Sequence, residues 1–149
     1  MSGLACTHNT KEEEDATVLK LGEDFTNAAA LSMNEVMLVC QSKVDDDSEA
    51  GGETSTTTTK VFEKTLAYCK RYANCANQQQ AQLMRELCTN TGLADFETAA
   101  LANVLPQNAE EARTLVPSLA ARGEDGDERF SEHQIEQLLT EMNNVRNFE

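Results

Sequence analysis

Apolar residues recur at helical spacing through most of the chain. Between residues 60 and 76, four of them fall on one stripe, at spacings of four, three and four: Phe62, Leu66, Cys69 and Ala73. Residues 78–90 repeat the pattern with Ala81, Met84, Leu87 and Cys88 facing inward. Near the end of the chain the stripe consists of Ile135, Leu138, Leu139, Met142 and Val145. Each pattern predicts an amphipathic helix with one buried face.

Capping residues and helix breakers mark the ends of the predicted helices. Ser32 with Glu35, and Ser131 with Gln134, have the spacing of a capping box. The remaining signals are two caps and three stops: Asp95, Asn108, Gly92, Pro106 and Pro117. The first helix is expected to end at residues 45–47, because three aspartates there oppose the negative end of the helix dipole. The fold class is therefore predicted to be all-α, with five or six helices.

Two segments depart from the helical pattern. Residues 45–59 are acidic and rich in Ser, Thr and Gly, with no apolar residue larger than Ala, so we expect a mobile linker. Residues 17–21, Thr-Val-Leu-Lys-Leu, are β-prone and precede Gly22. A lone strand leaves its backbone polar groups unpaired. Either this segment is not a strand, or another polypeptide supplies the sheet that it joins.

The composition of the chain argues against several classes of function. The chain has 149 residues, enough for one domain, and 26 acidic against 12 basic residues give a net charge of -14. Such acidity argues against a protein whose main function is to bind a phosphate backbone. No run of 18 apolar residues and no signal peptide is present, so neither a membrane nor an export role is expected. Five irregularly spaced cysteines indicate reduced thiols in the cytosol or nucleus.

No pattern of catalytic or metal-binding residues emerges from the sequence. Only two histidines occur, His8 and His133, and no C-x-x-C pair is present. A calcium loop aligned on Asp45 fails, because Ala50 stands at the required glycine and Thr56 at the required glutamate. Phosphate-binding and nucleophile motifs are also missing. We therefore predict no catalytic residue, no metal, no cofactor and no small-molecule substrate, with the cysteines of residues 69–88 serving as core residues.

Residues 60–72 form a local exception to the acidity. They contain a third of the basic residues, with two tyrosines between them: Lys60, Lys64, Lys70, Arg71, Tyr68 and Tyr72. Interleaved cations and aromatic rings can bind single-stranded nucleic acid. The alternative is a solvated helix face whose lysine stems cover apolar surface, and we favour it because no other part of the chain adds a positive field.

Three sequence segments resemble a known family. Residues 96–119, FETAALANVLPQNAEEARTLVPSL, precede an acidic helix ending in VRNFE. Upstream stand EEEDATVLKLGEDF and VFEKTLAYCKRYANC. Together they resemble the fourth subunit of eukaryotic RNA polymerase II, which is similar to the archaeal polymerase F subunit. The resemblance covers nearly the whole chain except residues 45–59.

The resemblance implies a fold and a non-catalytic function. Residues 60–149 should form a helical bundle of the helicase-and-RNase-D C-terminal (HRDC-like) type, residues 31–44 a first helix and residues 1–30 an N-terminal extension. The chain should pair with the seventh subunit in the stalk beside the RNA exit of the polymerase core. There it would act in transcription initiation and transcript handling, in the nucleus and with shuttling to the cytoplasm. Residues 71–75 lack two positive charges that relatives often carry, so we expect RNA contact mainly through the partner.

Candidate interaction residues follow from these considerations. We expect the strand Val18–Leu21 to pair with the partner's sheet, with Phe25 and the helix at 33–42 beside it, because that helix has more apolar surface than one narrow stripe requires. The candidate partner-binding residues are Val18, Leu19, Leu21, Phe25, Val36, Met37, Val39 and Cys40, and the candidate RNA-facing residues are Lys64, Lys70 and Arg71. The alternative function is a free-standing acidic helical adaptor that binds a protein partner.

Overall fold

Six α-helices account for most of the structure, a computed structural model that describes residues 14–22, 25, 28–49, 60–122 and 126–148. The helices are α1 (Met33–Glu49), α2 (Lys60–Tyr72), α3 (Gln78–Thr91), α4 (Asp95–Val104), α5 (Ala109–Leu115) and α6 (Glu132–Asn147). Two short 3-10 helices, Ala16–Val18 and Pro117–Ala120, complete the described elements. The all-α prediction is confirmed, and the finer HRDC-like assignment stays a prediction.

The core lies among the helices from α3 to α6. Helix α6 packs against α3 and α5, and α4 packs against α3. The apolar side chains of the core that are 2% exposed or less are Met84, Cys88, Leu101, Ala102, Ala109, Ala112, Leu119, Ile135 and Met142. Helix α1 packs against α2, α3 and α4. Because α2 packs mainly against α1, it lies at the periphery of the bundle.

Most of the predicted helix ends are confirmed, but α2 ends at Tyr72 and not near residue 76. Gln134 Oε1 accepts the Ser131 N–H at 2.9 Å, and Glu35 Oε2 accepts the Ser32 N–H at 2.7 Å. Gly92 adopts a left-handed conformation (φ 88°) directly after α3. One cap differs from the prediction: Asp95 is the first helical residue of α4, and Glu97 Oε2 accepts the Ala94 N–H at 2.7 Å. These agreements arise because caps depend on residues close in sequence.

Helix α1 runs farther than the sequence predicts. It continues through the three aspartates to Glu49, so the predicted end at residues 45–47 is wrong. Asp45 and Asp46 remain exposed to water, and Gln41 Nε2 donates to Asp45 Oδ1 at 3.1 Å. Extending an existing helix requires only one residue to be ordered for each new hydrogen bond, which outweighs a solvated unfavourable charge. The rest of the predicted linker, residues 50–59, lies outside the described residues, as does the tail at 1–13.

Residues 15–20 form a closed local turn. Asp15 Oδ1 accepts hydrogen bonds from the Thr17 N–H at 2.9 Å and the Thr17 hydroxyl at 2.6 Å. The Asp15 and Lys20 backbones bond to each other at 2.8 and 3.0 Å, and Leu19 adopts φ 64°. Val18–Leu21 is therefore not a strand in the free chain, and its pairing with a partner's sheet stays a prediction. The capping side chain of Asp15 overrides the β-propensity of its neighbours and satisfies the backbone groups locally.

Candidate partner-binding surface

An apolar groove runs beside the N-terminal segment. It has a volume of about 360 Å³ and is lined by Leu19, Leu21, Phe25, Ala28, Ala29, Ala30, Ala94, Asp95 and Phe96. Val18 and Phe25 are 54% and 59% exposed, and Leu19 is 40% exposed. Three of the four N-terminal residues predicted for partner binding, Leu19, Leu21 and Phe25, therefore line one groove, and the fourth, Val18, is exposed outside its lining.

Arg85 on α3 fixes the junction between this segment and α1. Its Nη2 donates to Glu35 Oε2 and to the Ala30 carbonyl, both at 2.7 Å, and its Nε also contacts the Glu35 carboxylate. Its Nη1 lies 3.3 Å from Asp95 Oδ1. Burial opposes ionisation of Glu35, but the hydrogen bonds from Arg85 and Ser32 outweigh it, so the pKa of Glu35 is lowered. Arg85 thus joins α3, the start of α1 and the N-terminal segment.

One buried and two half-buried amide side chains orient α1 on the bundle. Asn34, 2% exposed, accepts the Cys75 N–H at 3.0 Å and donates to Cys75 Sγ at 3.4 Å. Asn103 Oδ1 accepts the Met33 N–H at 2.8 Å. The Asn74 amide donates to the carbonyls of Ala102 and Asn103 at 2.9 and 2.8 Å. These bonds satisfy backbone groups at the start of α1, before α3 and at the end of α4, and so fix the direction in which α1 leaves the N-terminal segment.

The four predicted residues on α1 differ in their accessibility. Val39 is 62% exposed, whereas Val36, Met37 and Cys40 are only half-buried. Helix α1 packs against three other helices, which accounts for much of its broad apolar surface within the chain. Of these four residues, Val39 is therefore the most available to a partner.

The predicted RNA-facing residues do not share one face. Lys64, Lys70 and Arg71 are all exposed. Lys64 and Arg71 lie seven residues apart on α2 and so share a face, whereas Lys70 projects about 100° away from Arg71. The Arg71 guanidinium carbon lies 5.6 Å from the centre of the Tyr72 ring, and the Tyr68 and Tyr72 ring centres are 4.6 Å apart.

The cysteines of the bundle have the environment of core residues. Cys69, Cys75 and Cys88 are buried, as predicted. Burial raises the pKa of each thiol, and that of Cys88 to about 11, which disfavours the reactive thiolate. Among the described residues, no three acidic, His or Cys side chains are grouped to hold a metal ion. His133 lies exposed on α6. No described helix is long and apolar enough to cross a membrane.

Sequence reasoning missed Arg85, Asn34 and Asn103. Arg85 bonds to Glu35, 50 residues away, and Asn34 bonds to Cys75, 41 residues away. The capping box at Ser32 and Glu35 was a partial signal, since a carboxylate held at a helix start also attracts a cation. Nothing in the sequence indicated which cation it would be.

A helical bundle that exposes an apolar N-terminal edge is typical of a subunit that binds other chains. The profile of the RNA polymerase Rpb4 family matches residues 30–146. The chain therefore belongs to the RNA polymerase Rpb4 family. This membership confirms the resemblance to the fourth subunit of RNA polymerase II and the expectation of a non-catalytic polymerase subunit.

Three relatives illustrate the similarity. DNA-directed RNA polymerase II subunit 4 of Arabidopsis thaliana is 33% identical over 139 residues, covering 93% of this chain and 98% of the relative. Subunit rpb4 of Schizosaccharomyces pombe is 31% identical over 138 residues, covering 92% of this chain and 95% of the relative. Subunit rpb4 of Dictyostelium discoideum is 28% identical over 151 residues, covering 93% of this chain and 92% of the relative.

Proposed function

We propose that this chain is a subunit of nuclear RNA polymerase II that forms a one-to-one heterodimer with the seventh subunit. The heterodimer is the stalk near the RNA exit, where it acts in transcription initiation and transcript handling, with passage of the subunit between nucleus and cytoplasm. Two findings support the proposal: the family to which the chain belongs, and relatives named as subunit 4 of RNA polymerase II that align over nearly their whole length.

The observation that carries the heterodimer is the exposed apolar N-terminal groove. Leu19 and Phe25, which line it, are 40% and 59% exposed, and the neighbouring Val18 is 54% exposed. Full burial of such a side chain is worth about 1.5–3 kcal/mol, so covering several of them supplies a substantial part of a stable interface. Residues 15–20 are a local turn in the free chain. Pairing with a sheet of the partner therefore requires this turn to open, which exchanges two backbone hydrogen bonds for those of the new ladder.

RNA contact in this proposal belongs mainly to the partner. The net charge of -14 repels an RNA backbone, and only Lys64 and Arg71 of the three candidate cations share a face. Reversing the charges of Lys64, Lys70 and Arg71 should lower the RNA affinity of the heterodimer by less than about tenfold at physiological salt. A larger loss would assign RNA contact to α2.

The test of the heterodimer is the double variant Leu19→Asp, Leu21→Asp. Two carboxylates in the groove should weaken association with the seventh subunit by several kcal/mol, because burying an unpaired charge is costly. The matched control is Val104→Asp, Leu115→Asp, which alters two exposed apolar residues outside the groove, 54% and 49% exposed.

Association is measured by isothermal titration with the purified seventh subunit, and the helix signal in far-ultraviolet circular dichroism checks that both variants fold. Loss of the one-to-one complex in the groove variant alone supports the proposal. Unchanged affinity in the groove variant places the interface elsewhere. Failure of the unmodified chain to copurify with the seventh subunit would favour a free-standing acidic adaptor.

A further inference from the structure

Helix α2 carries an exposed apolar stripe that its packing on α1 does not use. Val61, Tyr68 and Tyr72 are 73%, 55% and 47% exposed. Their spacing of seven and four residues places them on one face, with Thr65 between them. The side chains of Phe62, Leu66 and Cys69 lie on a different face and are half-buried or buried. The helix therefore has an inner apolar face and a second one that meets solvent.

Two cations border the exposed stripe. Lys64 and Arg71 stand four residues before and three residues after Tyr68, the positions that adjoin it on a helix surface. Both are exposed, and neither forms an ion pair within the described ranges. Arg71 lies over the Tyr72 ring at 5.6 Å, which holds its charge beside the aromatic pair. The acidic residue of this part of α2, Glu63, lies on another side of the helix.

We propose that this surface, the Tyr68 face (Val61, Lys64, Tyr68, Arg71 and Tyr72), binds an amphipathic helix of another protein whose apolar stripe is bordered by Asp or Glu. Tyrosine and arginine are the residues enriched at the centres of protein interfaces. The stripe extends for about 17 Å along α2, the length of a three-turn helix. The unpaired cations complement the carboxylates of such a helix.

A protein helix fits this face better than single-stranded RNA. Val61 and Thr65 offer no ring for a base to stack on, and two cations on one face neutralise few phosphates. The net charge of -14 opposes a long polyanion at every position along its path, whereas a short acidic helix meets only the local positive field. The Tyr68 face also lies on a different helix from the N-terminal groove proposed for the seventh subunit.

The experiment measures binding of three fluorescent probes to the full-length chain by anisotropy. The first is an 18-residue designed helix with Leu and Phe on one stripe and Glu on both borders. The second carries Lys at every Glu position, and the third is a 12-nucleotide oligouridine. We expect the acidic helix to bind with a Kd below about 100 µM and at least tenfold more tightly than the lysine helix.

Surface variants locate the site. Lys64→Glu, Arg71→Glu should weaken the acidic helix at least tenfold and strengthen the lysine helix, since the charges at the border are exchanged. Tyr68→Ser, Tyr72→Ser should weaken both helices. Lys70→Glu is the control, because it changes one exposed charge of α2 outside the Tyr68 face, and it should alter either affinity less than twofold.

Three results would overturn the proposal. The first is binding of the acidic helix that is weaker than about 100 µM, or less than about tenfold tighter than binding of the lysine helix. The second is tighter binding of oligouridine than of the acidic helix with loss in the same variants, which assigns the face to RNA. The third is disappearance of helix binding when the seventh subunit is bound, which assigns the face to that subunit. Retained far-ultraviolet helix signal in the charge variants separates each result from misfolding.

Discussion

Arg85 and Glu35, 50 residues apart in sequence, form a two-point ion pair that joins α3 to the start of α1. The guanidinium also donates to the carbonyl of Ala30, so the pair fixes the place where the N-terminal segment enters the bundle. The two side chains are only 26% and 18% exposed. An ion pair of this kind positions the candidate partner-binding groove without itself lining the groove.

Replacing Arg85 by Met should lower the free energy of unfolding by about 1.5–3 kcal/mol, because the carboxylate of Glu35 loses its charged hydrogen bonds while partly buried. The Ala30 carbonyl also loses its partner. Urea unfolding checks the magnitude, and the matched control is Arg146→Met, whose exposed side chain forms no described ion pair. Equal unfolding midpoints for the two variants would contradict a structural role for Arg85.

A second ion pair, between Glu97 and Arg129, is more deeply buried. Glu97 is 0% exposed, accepts from Arg129 at 2.6 and 3.0 Å and accepts from the Ser118 hydroxyl at 2.5 Å. We expect Glu97→Gln to cost about 3–5 kcal/mol, since it preserves the shape but leaves the Arg129 charge without its partner. Chemical denaturation measures the loss, with the exposed Glu110→Gln as the control. A loss below about 1 kcal/mol would mean that water solvates Arg129 after the change.

The stability of the chain should fall in acid because of these two carboxylates. Burial opposes ionisation of Glu35 and Glu97, but hydrogen bonds from the arginines and nearby serines outweigh it, and the pKa of each is lowered. Each group therefore contributes stability that is complete above its unfolded pKa of about 4.3 and is lost as the pH falls through the lower folded pKa. Urea midpoints of the unmodified chain and of Glu97→Gln between pH 7 and pH 3 should converge at the acidic end. Parallel curves would contradict the lowered pKa of Glu97.

The helices could be predicted from sequence because their determinants are local. A capping box such as Ser131 with Gln134 involves residues three apart, and an amphipathic stripe is visible within one helix. The turn that residues 15–20 form in the free chain is also local, but β-propensity alone does not predict it. The β-propensity of residues 17–21 favours an extended backbone. The hydrogen bonds from Thr17 to the Asp15 side chain instead stabilise a turn.

The contacts that build the candidate site could not be predicted in the same way. Arg85 is one of several cations that Glu35 could meet, and only the packing of α3 on α1 brings these two together. Asn34 has no signal of burial in its own segment, yet it holds the backbone of Cys75. The family resemblance identified the N-terminal segment as an interaction region, and the groove beside it adds Ala94 and Phe96, to which sequence reasoning gave no role in binding.

The end of the chain is held to the bundle by Gln80, and this contact is also testable. Gln80 is 5% exposed, its Oε1 accepts the Ala76 N–H at 2.7 Å and its Nε2 donates to the Phe148 carbonyl at 2.5 Å. Gln80→Leu should preserve the volume while leaving both backbone groups without that partner. We expect a loss of about 1–3 kcal/mol in the free energy of unfolding and faster amide exchange in the last turn of α6.

Gln79→Leu is the matched control for Gln80→Leu, since the neighbouring side chain is exposed. Hydrogen exchange followed by mass spectrometry separates the two consequences of losing Gln80. If the Gln80 amide holds residue 148 to the bundle, peptides from residues 140–148 should exchange faster in Gln80→Leu. Their exchange rate should be unchanged in Gln79→Leu. If exchange there stays the same although the protein is destabilised, Gln80 acts only as a cap between α2 and α3, and the apolar residues of α6, Leu139 and Met142, hold that helix without it.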